Sequence, residues 1–167
     1  GVLPIQGAPG TGKSYTGARM ICTFVAAGMK VGITAGSHKV IRNLLNKVIE
    51  AAAEMNIELC CVQKPESGHT EDNHGHLLFA KDAQALLGEL STKRCMVAGA
   101  TAFLWATPAA QDVLDVLFVD EAAQMSLANV LSVSHTAKRL VLLGDPQQLD
   151  QPTQGTHPDG TGVSSLD

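Results

Sequence analysis

The sequence predicts an α/β fold in which helices sandwich a parallel β-sheet. Short apolar blocks typical of strands alternate with segments of helical periodicity. Residues 113–119 are almost wholly apolar, as expected of a central strand covered on both faces. A glycine-rich stretch joins the first predicted strand to the first predicted helix, as in α/β proteins that bind phosphate groups.

The first half of the chain alternates strands with helices. Pro4 lies in the first strand and favours an edge position, because proline gives the ladder no donor. Gly28 is the predicted end of a helix that begins at Lys13. Ser37 is a good cap for a long helix with one apolar stripe. The predicted strands are 2–6, 30–35 and 57–62, and the predicted helices are 13–27 and 38–55.

The second half continues this alternation after a polar, turn-rich loop at residues 63–75. The predicted helices are 82–90 and 126–136, and the predicted strands are 94–98, 113–119 and 140–143. From Pro146 onward the chain is polar, rich in glycine and proline, and without periodicity. We therefore expect one domain over residues 1–150 and a polar tail over residues 151–167.

Length, composition and charge narrow the class of protein. Of 167 residues, 45% are apolar and 17% are charged, which predicts one packed domain. No apolar run is long enough for a bilayer and no signal peptide is visible, so we expect no membrane association. The net charge of −4 argues against nucleic-acid binding by bulk charge but allows a local basic groove. Because the first residue is Gly1 rather than Met, we expect a segment of a longer protein.

The cysteines and histidines give no recognisable metal or redox motif. The cysteines are Cys22, Cys60, Cys61 and Cys95, and the clustered histidines are His69, His74 and His76. No C-x-x-C pair is present, and the apolar surroundings predict buried free thiols in a reducing cytoplasm. The histidine spacing fits no known zinc pattern. We interpret the histidine-rich stretch as an exposed loop, or as a place where an accessory element is inserted.

The stretch from Gly7 to Ser14 matches the phosphate-loop pattern G-x-x-x-x-G-K-[ST] without departure. Its glycines let backbone N–H groups turn towards phosphate oxygens, and the following helix N-terminus favours an anion. We expect Lys13 to neutralise the β- and γ-phosphates of a nucleoside triphosphate, and the Ser14 hydroxyl to bind Mg²⁺. The predicted nucleotide-binding residues are Gly7, Ala8, Pro9, Gly10, Thr11, Gly12, Lys13, Ser14 and Thr16.

Two carboxylates, Asp120 and Glu121, follow the apolar strand at residues 113–119. In open α/β sheets, ligands bind at the carboxyl ends of the strands, so Asp120 is expected beside the phosphate loop as a ligand of Mg²⁺. Glu121 is expected to orient and deprotonate the attacking water. Gln148 follows the next strand and is a candidate to bond the γ-phosphate or that water, although its Gly-Asp-Pro setting also suits a plain turn.

Together these stretches resemble superfamily 1 helicases. The residues from Asp120 to Gln124 resemble motif II of that family, and those from Gly144 to Leu149 resemble motif III. The resemblance is to the 5′-to-3′ branch that includes the DNA-replication and RNA-decay helicases. It implies the first of two RecA-like domains of a P-loop NTPase, which uses ATP and Mg²⁺ and acts on single-stranded nucleic acid, with DNA favoured over RNA.

The resemblance also implies where nucleic acid lies. The residues from Thr34 to Lys39 resemble motif Ia, and Thr101 ends a second short motif that contacts the bound strand in the family. The implied contacts are Thr34, Ser37, His38, Lys39 and Thr101. Lys39 and Arg42 suit either phosphate contacts or a solvated helix face. We expect Phe103 and Trp105 to pack in the core rather than against bases.

The resemblance covers nearly the whole chain but only one domain of the family. It implies a second RecA-like domain with an arginine finger, and an adenine-recognising segment upstream, both outside this sequence. Gly36 stands where many relatives have proline. The tail from Asp150 to Gly160 is similar to bacterial proteins that join such a helicase to a RecB-like nuclease, which implies a fused nuclease. We expect this segment alone to bind nucleotide better than it hydrolyses it.

Two other functions stay open at this point. One is another P-loop ATPase, such as a ring-forming remodelling ATPase or a small-molecule kinase. The other is a non-catalytic, nucleotide-dependent binding module, in which Glu121 would be dispensable. The setting of Gln148 favours the helicase over the kinase, and stimulation of ATP hydrolysis by single-stranded DNA distinguishes the helicase from both.

Overall fold

The computed structural model describes residues 1–6 and 12–144. Its strands are β1 (Val2–Gln6), β2 (Val31–Thr34), β3 (Cys61–Gln63), β4 (Leu77–Phe79), β5 (Val97–Gly99), β6 (Leu114–Val119) and β7 (Ala137–Gly144). Its α-helices are α1 (Lys13–Ala26), α2 (His38–Met55), α3 (Ala83–Ser91), α4 (Ala102–Trp105) and α5 (Leu127–Val133). Short 3₁₀ turns occur at Pro108–Ala110, Ala122–Gln124 and Ser134–Thr136.

The strands of the described residues form one sheet in the order β1-β7-β6-β2-β5-β3-β4, and all its pairings are parallel. This confirms the predicted α/β fold. β1 lies at an edge, which is where Pro4 is tolerated because the missing donor faces no second strand. β7 separates β1 from β6, and Gln6 lies opposite Gly144 in the register. The carboxyl ends of β1, β7 and β6 are therefore neighbours.

Alternating side chains of the strands pack into two cores, one on each face of the sheet. Val116 and Phe118 of β6 pack in the core that α1 and α2 cover. Leu117 and Val119 of the same strand pack in the core that α3, α4 and α5 cover. Because both faces of β6 are buried, its almost unbroken apolar sequence is explained by its central position.

Side-chain caps begin three of the helices. The Ser37 hydroxyl accepts a hydrogen bond from the Val40 N–H at 3.2 Å, which confirms the predicted start of α2. The Asp82 carboxylate accepts one from the Ala85 N–H at 2.8 Å and caps α3. Ser126 does the same for α5. Each cap satisfies one of the N–H groups that the first turn of a helix leaves without an internal partner.

Several predicted strand boundaries were wrong, because pairing with the neighbouring strands decides where a strand begins and ends. β4 and α4 were not predicted, because three- and four-residue elements carry too few residues to show a period. β3 begins at Cys61 rather than 57 and β5 at Val97 rather than 94, since only these residues have partners opposite them. β7 is longer than predicted and includes the exposed Lys138 and Arg139.

All four cysteines are free thiols, as predicted, and three are buried, but Cys60 is half-buried rather than buried. Burial raises the pKa of the Cys61 thiol well above its ordinary value, which keeps it protonated. In the described residues, no group of three histidine, cysteine or acidic side chains is arranged to hold a metal ion. His69 instead lies 3.8 Å from the Glu66 carboxylate. No described helix combines the length and apolar character that a membrane span requires.

A glycine in β5 allows α2 to pack closely against the sheet. A Cβ atom at Gly99 would lie 2.6 Å from Cγ2 of Ile41 and 3.0 Å from Cδ1 of Leu45. A β-branched side chain in a helix has one strongly preferred rotamer, so Ile41 does not swing away. We expect Gly99→Ala to lower the free energy of unfolding by about 1–3 kcal/mol, measured by urea denaturation.

Gly88→Ala is the control for this change. Gly88 lies within α3, and a Cβ atom there would meet nothing within 4 Å. Because alanine is the better helix former, we expect Gly88→Ala to raise the free energy of unfolding by about 0.5–1 kcal/mol. Equal effects of the two substitutions would contradict the close approach of α2 to β5.

Candidate nucleotide site and nucleic-acid interface

The N-terminus of α1 supplies the described part of the predicted phosphate loop. Gly12 has a φ of +83°, a left-handed conformation that favours glycine, and its carbonyl accepts a hydrogen bond from the Thr16 N–H at 2.8 Å. Lys13 and Ser14 are half-buried, while Thr16 is exposed. No acidic residue occupies the first turn of this helix, so its positive end is left for an anion. The remaining loop residues, Gly7, Ala8, Pro9, Gly10 and Thr11, lie outside the described residues.

Asp120 is a buried carboxylate at the carboxyl end of β6. Only 5% of the residue is exposed. Its N–H donates to the carbonyl oxygen of Thr34 at 2.9 Å, and its Oδ1 accepts from the N–H of Glu121 at 2.8 Å. These two bonds continue the pairing of β6 with β2 for one residue and fix the direction of the carboxylate.

The surroundings of Asp120 also determine its charge. The pKa of Asp120 is raised from 3.8 to about 6. Burial is the largest cause and the Glu121 carboxylate adds to it, while the N–H of Glu121 and the Lys13 ammonium lower the pKa. Lys13 and Asp120 are thus close enough for their charges to interact. A buried carboxylate that holds a proton near pH 6 releases it readily when a divalent cation binds, since Mg²⁺ prefers charged oxygen ligands.

Glu121 begins a tight turn immediately after Asp120. Its φ of +49° and ψ of +47° lie in the left-handed region, which is uncommon for a residue with a side chain. The carbonyl of Glu121 accepts the N–H of Gln124 at 2.8 Å, and this bond closes the turn. The second carboxylate is half-exposed, unlike the first. The pair therefore combines one buried and one solvent-accessible acid at the end of one strand.

Gln148 and the tail at residues 151–167 lie outside the described residues, so their proposed roles stay predictions. The strand that leads to Gln148 is described as far as Gly144 and lies between β1 and β6. Gln148 thus follows the strand that lies between β1 and β6.

The residues predicted to contact nucleic acid follow β2 and β5, which are neighbours in the sheet. Ser37 and Lys39 are exposed, and His38 and Thr101 are half-buried. Thr34 is different, because it is 0% exposed and lies opposite Val119 in the sheet. The prediction that its side chain contacts a strand conflicts with this burial, since it presents no surface to solvent. Its carbonyl instead positions Asp120.

Arg42 is engaged within the protein. Its guanidinium donates to Oε1 of Gln63 and to both carboxylate oxygens of Glu71, and it lies 4.5 Å above the ring of Phe79. The hydrogen bond from Arg42 lowers the pKa of Glu71. The structure therefore does not support the hypothesis that Arg42 is available to contact a nucleic-acid phosphate. Sequence reasoning missed this cluster because 29 residues separate Arg42 from Glu71.

The two aromatic residues of α4 have opposite environments. Trp105 is 0% exposed, and its Nε1 donates to the carbonyl of Ile33 at 3.1 Å, so its predicted core position is confirmed. Phe103 is 89% exposed, so its predicted core position is wrong. Within the single turn of α4, burying Leu104 and Trp105 directs Phe103 outwards. Alternation of apolar residues alone gave no sign of this.

Comparison with known sequences decides the family. The family described as AAA domain matches residues 1–158. The chain belongs to this AAA domain family. It is also 29% identical over 147 residues to the DNA replication ATP-dependent helicase/nuclease DNA2 of Homo sapiens, a match that covers 87% of the chain and 14% of that protein. The chain thus spans about one seventh of the length of this relative.

Solved structures agree on the fold of the AAA domain. A nuclease-deletion mutant of the Type ISP restriction-modification enzyme LlaGI, in complex with a DNA substrate mimic, has a TM-score of 0.59 at 15% identity, and the match covers 99% of this chain and 16% of that one. The UvsW helicase of bacteriophage T4 has a TM-score of 0.57 at 11% identity, covering 85% and 46%. With the family match, these findings confirm the predicted RecA-like α/β fold of a P-loop NTPase domain.

The burial of Asp120 predicts that its ionised carboxylate lowers the free energy of unfolding of the nucleotide-free protein. Between the ordinary pKa near 4 and the folded pKa of about 6, the native state holds the extra proton, so stability falls as pH rises through this range. We expect Asp120→Asn to raise the free energy of unfolding of the nucleotide-free protein at pH 7.5 by on the order of 2 kcal/mol, and by nothing below pH 4. Thermal denaturation measured across pH tests this.

Asp115→Asn is the control, because Asp115 lies at the other end of the same strand and accepts the Lys30 N–H at 2.8 Å. We expect this change to be neutral or destabilising at pH 7.5. A stability difference between Asp120→Asn and the wild-type protein that does not grow between pH 4 and 6 would contradict the assignment of the raised pKa to Asp120.

Proposed function

We propose that this chain is the ATP-binding and hydrolysing motor domain of a superfamily 1 helicase, and that it couples hydrolysis to movement along single-stranded nucleic acid, DNA rather than RNA. The observation that carries the proposal is the burial of Asp120 at the carboxyl end of β6, where the charge of Lys13 is near enough to lower the pKa of its carboxyl group. One residue opens the helix after the phosphate loop and the other ends the central strand, and their proximity supports a single nucleotide site.

The residues of this site have separate proposed tasks. Lys13 and the N–H groups at the start of α1 hold the β- and γ-phosphates, and Lys13 offsets the negative charge that develops in the transition state. The Ser14 hydroxyl and the Asp120 carboxylate are the proposed ligands of Mg²⁺. When bound, Mg²⁺ neutralises phosphate charge and orients the β- and γ-phosphates.

The proposed general base is Glu121. As the oxygen of a water forms a bond to the γ-phosphorus and the bond from that phosphorus to the β–γ bridging oxygen breaks, the Glu121 carboxylate takes a proton from the water. Its half-exposed position supports this role, because water reaches it while Asp120 stays buried. Gln148 is the proposed partner of the γ-phosphate or of the same water.

A nucleic-acid strand is proposed to cross the carboxyl ends of β2 and β5, held by Ser37, His38, Lys39 and Thr101. The N-terminus of the 18-residue helix α2, which has no acidic residue in its first turn, supports phosphate contacts there. A second RecA-like domain, a fused nuclease and a cytoplasmic location are part of the same proposal. The fused nuclease agrees with the helicase/nuclease activity in the name of the DNA2 relative, and the reducing cytoplasm agrees with the free thiols.

Two substitutions distinguish the residues needed for ATP binding from those needed for ATP hydrolysis. We expect Lys13→Ala to weaken ATP binding strongly, because the γ-phosphate loses its cation. We expect Glu121→Gln to keep ATP affinity within about threefold but to slow hydrolysis about 10²- to 10⁴-fold, the usual contribution of a general base. Equilibrium binding of a fluorescent ATP analogue and single-turnover hydrolysis in the full-length protein measure the two effects. Unchanged hydrolysis by Glu121→Gln would exclude Glu121 as the general base. Binding of ATP that depends on Lys13 but is followed by no hydrolysis in the wild-type protein, with Glu121→Gln indistinguishable from it, would favour the non-catalytic binding module.

Separate substitutions of two lysines on α2 test where the nucleic-acid strand binds. Lys39 and Lys47 are both exposed, but only Lys39 lies in the first turn of α2. We expect Lys39→Gln to weaken oligonucleotide binding several-fold and to reduce the slope of log affinity against log salt by about one. Lys47→Gln serves as the control and leaves both unchanged in fluorescence anisotropy. Equal effects of the two substitutions would place the strand elsewhere.

A further inference from the structure

We propose that a groove between α4 and α5 holds an unstacked base of the bound strand, with Phe103 as its stacking surface. This inference rests on the proposed function and adds to it a site that reads bases rather than phosphates. The groove, here called the α4–α5 groove, has a volume of about 560 Å³. Its lining includes Gly36, Thr101, Phe103, Gln124, Asn129 and Ser132.

The exposure of Phe103 points to a ligand. At 89%, it is the most exposed large hydrophobic side chain of the described residues, ahead of Leu131 at 62%. Leu104 and Trp105 anchor the turn of α4 in the core, and the bond from Trp105 to the Ile33 carbonyl fixes its rotation. Phe103 is thus held outwards without the stabilisation that burial of an aromatic ring provides.

The chemistry of the groove matches a base. None of its lining residues is charged, although the chain as a whole has a net charge of −4. The lining combines an aromatic face with neutral donors and acceptors from Thr101, Gln124 and Asn129. A base has an apolar face and a polar edge, whereas a phosphate needs cations or several N–H groups.

The location of the groove selects nucleic acid over another occupant. Gly36 and Thr101 belong both to the groove and to the stretches proposed to contact the strand backbone, so a strand held there brings a base to Phe103. The far wall is also connected to the nucleotide site. The N–H of Gln124 bonds to the carbonyl of Glu121 at 2.8 Å, and the N–H of Met125 bonds to that of Ala122 at 3.0 Å. A base in the groove therefore contacts the turn that carries the proposed general base.

The experiment compares two strands of equal charge. Fluorescence anisotropy measures binding of the full-length protein to oligothymidylate and to an abasic oligonucleotide of the same length. We expect the wild-type protein to bind oligothymidylate about tenfold more tightly, because one stacked base contributes about that much. We expect Phe103→Ala to lose this preference and Phe103→Trp to keep it. Leu131→Ala, an exposed apolar residue of α5 outside the groove lining, is the control and keeps it.

The outcomes separate this inference from the proposed function. Wild-type protein that binds neither strand overturns both. Wild-type protein that binds strands while Phe103→Ala keeps the full preference overturns only the inference, and so does an equal loss of affinity for both strands. A change in self-association of Phe103→Ala by sedimentation velocity, with the preference intact, would assign the groove to a second copy of the chain and also overturn it.

Discussion

The burial of one carboxylate between a helix N-terminus and a central strand is the constraint on which the site depends. An ionised Asp120 in this position is costly, and Lys13 together with the Glu121 N–H offsets only part of that cost, so the pKa of Asp120 stays raised. A divalent cation at this place would remove the remaining penalty. In the proposed function, cation and nucleotide binding would recover this energy.

The order of strands creates this constraint. β6 is covered on both faces and lies between β7 and β2, so the residue that follows it is buried when it leaves the sheet. The Thr34 carbonyl continues the β2 ladder by one bond and holds Asp120 in line with the strand. Glu121 then leaves in a left-handed conformation, and the two acids obtain different environments although they are adjacent in sequence.

The electrostatics of the proposed interface are local rather than global. The chain is acidic overall, and Arg42 is occupied by Glu71 and Gln63. At the carboxyl ends of β2 and β5 lie the N-terminus of α2, the exposed Lys39 and the uncharged α4–α5 groove. We propose that such a surface holds a strand through directed hydrogen bonds and stacking, with fewer released counterions than a basic patch would give.

The sequence by itself determined the sheet class, the edge position of Pro4, the cap at Ser37 and the position of Asp120 at the carboxyl edge of the sheet. Each of these follows from local rules: the period of apolar residues, the missing N–H of proline, the side-chain oxygen of a cap and the meeting of parallel strands at one edge. Only the tertiary structure decided that Thr34 is buried, that Glu71 occupies Arg42 and that Phe103 faces solvent. These outcomes depend on contacts between residues far apart in the chain, or on which side of a single helical turn packs against the sheet, and no local pattern contains that information.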